Sequence, residues 1–237
     1  METFGTPFSI VGCTMKKKEK KMYTLLLLLI YLAFISLGLP DSLLGSAWPV
    51  MHEAFQVPLS YAGLVTMIIS GGTICSSLMS ERLTKKFGTQ IVTVFSVMLT
   101  AIALFGFSTA SAFWMLCLWA IPYGLGAGAI DAALNNYVAL HYNSRHMSWL
   151  HCFWGLGTII SPYVMSYALT TSVWQNGYRM VSFIQIGIAL ILFVTLPIWK
   201  VNKKETAQEE KAEEEMVGIK GALKIKGVPN LLLGFFS

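Results

Sequence analysis

Apolar and polar positions follow one another along this chain in long blocks, with no sustained period of a soluble helix or strand. A helix needs roughly 20 mostly apolar residues to cross about 30 Å of hydrocarbon. Reading the apolar runs between polar breaks predicts six such segments, at about 22–52, 59–80, 89–109, 113–140, 147–171 and 178–199. The breaks HEAFQVPLS, ERLTKKFG, STAS, HYNSRH and TTSVWQNGYR carry the turn formers and charges that end helices. A seventh apolar run, PNLLLGFFS, starts at Pro229 and is cut short. The expected organisation is a basic tail at 1–21, a transmembrane bundle at 22–199, a charged linker at 200–227 and the truncated start of a seventh helix at 228–237. The expected fold class is an all-α polytopic membrane protein.

Composition makes lipid the only workable solvent for the middle of the chain. Of the 237 residues, 55% are hydrophobic and 12% charged, against roughly 25% charged in soluble proteins. Only nine charges fall between Met22 and Trp199, a stretch of 178 residues. The formal charge of +5 therefore reads as topology and not as a nucleic-acid surface. If the segments zigzag, sixteen of the seventeen Lys and Arg residues fall on one side and Arg179 alone on the other. The positive-inside rule then sets the N-terminus and the 200–227 linker in the cytoplasm of a multi-pass cell-membrane protein. The opening MKKKEKKMYTLLLLLIYLAFISLGL has the basic start of a signal peptide, but its apolar run continues to Val50 with no small-residue cleavage site. An uncleaved first span is expected, with Met15 and Met22 as alternative starts.

The segments recur at an offset of about 90 residues, and Asp41 and Asp131 are 90 apart. Because three spans separate the matched positions, the two units run in opposite senses. Three-plus-three inverted repeats of this kind are built into many secondary transporters.

The matched acids are the candidate chemistry. A carboxylate inside the bilayer costs at least ~2.5 kcal/mol, so each needs a polar cavity, a partner or a proton. Gly38, Asp41 and Gly45 share one helical face; Gly124, Gly128, Asp131 and Asn135 form a second stripe, and His151, Gly155, Thr158 and Pro162 a third. One reading makes these stripes the wall of a central cavity in which Asp41 and Asp131 exchange protons. The other makes them sites of close helix contact and interhelical hydrogen bonding, which is the preferred reading for the glycines. His151 is a candidate to titrate with Asp131, to donate to a substrate or to pair with a backbone carbonyl near the cytoplasmic mouth, and Trp154, one turn on, to stack on a sugar ring or to fill the bundle. The glycine-rich GLGAGA at 124–129 follows no strand, the four cysteines form no C-x-x-C pair, and no nucleophile–base pair stands out. No cofactor, metal site, nucleic-acid partner or enzymatic activity is expected.

The stretch Ser77-Leu-Met-Ser-Glu81-Arg82-Leu-Thr-Lys85-Lys86-Phe-Gly88 resembles the cytoplasmic loop signature of the major facilitator superfamily, with Ser77 in place of the first glycine and the basic pair ahead of Gly88. Within that superfamily Pro40-Asp41, Gly128-Ala-Ile-Asp131-Ala-Ala-Leu-Asn135 and Leu150-His151-Cys-Phe153-Trp-Gly155-Leu-Gly157 are similar to helices 1, 4 and 5 of the fucose permease-like group. The resemblance implies proton coupling and sugar binding at Asp41 and Asp131, a solute site shared with Asn135, His151 and Trp154, and a gating loop at Glu81, Arg82, Lys85, Lys86 and Gly88. It further implies symport of a small polar solute with protons by the N-terminal half of a twelve-helix carrier, completed by a missing C-terminal half. The alternative is a truncated or accessory membrane subunit that transports nothing by itself.

Overall fold

A computed structural model describes residues 17–199. The basic tail as far as residue 16, the linker at 200–227 and the start of a seventh helix at 228–237 lie outside the described residues. Six helical segments are long and apolar enough to cross a membrane: Met22–Ala54, Leu59–Phe87, Thr89–Thr109, Phe113–His141, Ser144–Thr171 and Trp174–Val194, spans 1 to 6. No strand occurs among the described residues.

The end of span 2 and the start of span 6 differ from the hydropathy pattern for local reasons. Span 2 continues as helix through ERLTKKF, where Glu81 and Lys85 stand four apart and pair at 3.0 Å. Gly88, at φ +86°, ends it by donating its N–H to the Thr84 carbonyl, a left-handed cap that glycine adopts without strain. Span 6 begins at Trp174, inside the expected break. There Trp174 and Tyr178 are both buried and meet edge to face at 6.0 Å, which draws WQNGYR into the helix.

Two prolines open the helices beside the eventual site, and other spans satisfy what they free. A proline inside a helix leaves the carbonyl four residues earlier without its N–H. Pro40 frees Ser36 in this way, and the buried Gln185 of span 6 donates its Nε2–H to the Ser36 carbonyl at 2.6 Å. Gln185 also accepts from the Thr100 hydroxyl of span 3 at 3.2 Å. Pro162 frees Thr158, whose carbonyl accepts the Ser42 hydroxyl at 2.7 Å. Span 1 itself breaks at Ser42, between helices Lys17–Asp41 and Leu43–Ala54.

Three of the closest pairings have the symmetry of an inverted repeat, whereas the extensive contact of span 3 with span 4 has only a slight counterpart between spans 6 and 1. Span 1 lies along span 5, and span 2 along span 4, while spans 3 and 6 lie against each other; exchanging the two units maps this pattern onto itself. The glycines carry the match to single residues. A Cβ on Gly38 would overlap the Trp154 carbonyl and crowd Thr158 on span 5, and one on Gly128, 90 residues later, would overlap the Thr73 carbonyl on span 2. In the facing helices, Gly157 abuts Ile35 and Gly38, and Gly72, 85 residues earlier, abuts Gly124 and Leu125. Backbones approach this closely only where no side chain intervenes. A buried cluster around Leu43, Met51, Leu104, Leu116, Met165 and Tyr178 fills the half of the bundle toward the 1–2, 3–4 and 5–6 connections.

Candidate functional site

The close pairs 1–5 and 2–4 leave a cavity of about 340 Å³ between them. Asp41, Asp131, His151 and Trp154 all line it, together with Thr73 and Tyr123. Four of the five residues expected to form the solute site are thus brought together from spans 1, 4 and 5.

Asp41 ends the first helix of span 1, next to the break that Pro40 and Ser42 produce. Each of its carboxylate oxygens accepts one hydrogen bond, and the donors come from different spans. The Tyr123 hydroxyl of span 4 donates to Oδ1 at 3.0 Å, and the Trp154 indole N–H of span 5 donates to Oδ2 at 2.8 Å. Trp154 is therefore neither a bare stacking face nor simple filler: its ring stays 39% exposed while its N–H is committed to Asp41. The Tyr123 ring is buried and lies against Phe107 of span 3 at 6.1 Å.

Asp131 is half-buried on span 4. Asn135, one turn further, donates its Nδ2–H to both the Asp131 carbonyl and Oδ1 at 2.9 Å. Asn135 thus stands behind the acid and outside the cavity lining, with its own Oδ1 buried and unpartnered among the described residues. His151 is exposed, meets Phe34 edge-on at 6.3 Å, and lines the same cavity as Asp131. Gly124 and Gly128 face the span 2 backbone, not the cavity, whereas Gly45 and Gly155 leave open space beside them.

Glu81, Arg82, Lys85, Lys86 and Gly88 form a separate group at the end of span 2. Glu81 lies eight residues beyond Thr73, about 12 Å along a helix. The Glu81–Lys85 pair is well exposed, and such pairs contribute little to stability. Lys86 reaches over the Phe87 ring at 5.3 Å.

Sequence reasoning passed over two features here. Tyr123 was legible as a phenol within an apolar run, a group that needs a partner when buried, and it falls at i, i+4, i+8 with Ala127 and Asp131 on the cavity side. The second is an aromatic cluster joining the start of span 1 to the 4–5 connection. Tyr31 and His146 are 2.9 Å apart, and the Tyr142 hydroxyl donates to the Tyr23 carbonyl at 3.3 Å. Burial pushes the Tyr142 phenol well up, so it stays a neutral donor at any working pH.

The arrangement is chemically that of a small polar compartment inside an apolar bundle. It offers carboxylate acceptors, one imidazole and an aromatic face, a set suited to hydroxyls and protons. Comparison with known proteins agrees with it. Residues 30–237 match the Major Facilitator Superfamily. Over 163 residues the chain is 24% identical to Bypass of stop codon protein 6 of Saccharomyces cerevisiae, a match covering 68% of this chain and 33% of that protein. Over 182 residues it is 22% identical to the Glucose/mannose transporter GlcP of Bacillus subtilis, covering 75% of this chain and 44% of that protein. The chain spans less than half the length of these curated relatives. With six membrane-spanning helices in two inverted units and a family match over most of its length, the chain belongs to the Major Facilitator Superfamily.

Proposed function

We propose that this chain forms the N-terminal half of a proton-coupled symporter, resident in the cell membrane, that carries a sugar or similar small polar solute by alternating access. The observation that carries this reading is the pair of repeat-related carboxylates, Asp41 and Asp131, on one cavity within the membrane-spanning bundle. An idle acid is costly there, so both are assigned to solute and proton handling. The residue patterns of spans 1, 4 and 5 favour a fucose permease-like carrier, and the similarity to a glucose/mannose transporter favours a sugar-like solute. The basic residues favour a cytoplasmic N-terminus, which makes the Glu81–Gly88 group a cytoplasmic gating element.

A missing C-terminal half fits the surface. Spans 2 and 5 are the least covered helices, and they present Thr66, Ser70, Ser166, Tyr167 and Thr170 outward. Hydroxyls in that number suit a second six-helix bundle better than lipid. The test is uptake of radiolabelled glucose by vesicles bearing the intact carrier. Accumulation under an imposed inward proton gradient, abolished by a protonophore, is the expected result; accumulation indifferent to the protonophore overturns proton coupling. A second reading, an accessory subunit inactive by itself, draws on the chain's short span of its relatives. It predicts no uptake with any partner half.

A further inference from the structure

The inverted repeat duplicates the acid but not the groups that hold it. Asp41 has a donor on each oxygen, Tyr123 from span 4 and Trp154 from span 5. At the offsets that relate the two units, 90 residues for spans 1 and 4 and 85 for spans 2 and 5, the counterparts of these donors are Ala33 and Ile69. Neither has a side-chain hydrogen to give. Asp131 accordingly has one donor, Asn135 on its own helix, and its second oxygen takes no hydrogen bond among the described residues. His151 and Asp41 line the same cavity.

We infer that Tyr123 is a positioning residue which, with Trp154, fixes Asp41 as the solute-anchoring acid, leaving the unclamped Asp131 as the acid that exchanges protons. The inference rests on the reading of this chain as half of a proton-coupled carrier. An indole N–H only donates, so the Asp41 oxygen it holds stays an acceptor. Protonating either oxygen weakens the hydrogen bond it already accepts, so the two donors together favour the charged carboxylate. Both oxygens keep a second lone pair for solute hydroxyls, aimed by a carboxylate that cannot rotate. Asp131 has no such lock, and its open oxygen can take or release a proton without breaking a bond to another span.

Two measurements on the intact carrier test this. In proton-driven glucose uptake, Tyr123→Phe is expected to raise KM roughly tenfold, the loss of one hydrogen bond to a charged group, with the maximal rate and the pH profile unchanged. A moved pH profile with KM unchanged overturns the assignment. The second readout does not need transport: the indole N–H resonance of Trp154 in 15N-tryptophan-labelled, detergent-solubilised carrier, identified by its loss in Trp154→Phe. It is expected to shift in Tyr123→Phe and in Asp41→Asn, the latter leaving the aromatic packing untouched, and to stay in place in Asp131→Asn. An unmoved signal in the first two, or an equal shift in the third, overturns the clamp. If the wild-type carrier takes up no glucose, the sugar reading has failed and the indole signal alone decides.

Discussion

Gly157 and Gly38 face each other so closely that a methyl group on either would enter the other helix's backbone. Backbone atoms cannot swing aside as a flexible side chain does, so the helices must part. Gly157→Val is expected to lower the stability of the solubilised protein by about 1–3 kcal/mol through overpacking, read as a drop in thermal midpoint. Gly187→Ala, where a Cβ meets nothing within 4 Å, is expected to stay within about 0.5 kcal/mol of wild type. Sequence spacing grouped the glycines with Asp131 on one stripe, which is correct along the helix. It could not divide that stripe, because the cavity and the contact with span 2 lie side by side on the same face of span 4. The acids were legible by their cost in lipid. Tyr123 was legible only as a phenol that needs a partner; which partner was not, because it lies 82 residues away.

Among the helices, the polar seams follow from proline chemistry. Gln185 meets the carbonyl that Pro40 frees, and Ser42 meets the one that Pro162 frees. Gln185→Leu strands the buried Ser36 carbonyl, and a destabilisation of about 1–3 kcal/mol is expected. In a Pro40→Ala background the helix supplies its own N–H to Ser36, so the same substitution is expected to cost measurably less. A double-mutant cycle from thermal or denaturant unfolding checks this, and equal costs in both backgrounds contradict it. Pro40 is plain in the sequence; the group that meets the carbonyl it frees is not, since no local pattern joins residues 36 and 185. Helix ends show the same limit. Charges marked 81–88 as a loop, but an i, i+4 pair and good helix formers carry span 2 to Phe87.

Over the whole molecule the repeat was the most legible feature, because matched acids and matched span lengths survive in the sequence even where other residues diverge. Contacts corrected the offset in spans 2 and 5 to 85 residues, a difference the longer path from Asp41 to Gly72 than from Asp131 to Gly157 accounts for. The proposed orientation has its own check. In a carrier stripped of its native cysteines, Arg179→Cys is expected to react with an impermeant maleimide added to intact cells, and Lys86→Cys only after permeabilisation; the reverse pattern contradicts the topology. The proposed proton path runs through Asp131. Its most direct test is the alkalinisation of a weakly buffered medium when glucose is added to de-energised cells expressing the intact carrier. A transient rise in external pH is expected with wild type and none with Asp131→Asn, although the variant still exchanges labelled glucose across the membrane. An undiminished pH rise with Asp131→Asn would contradict it.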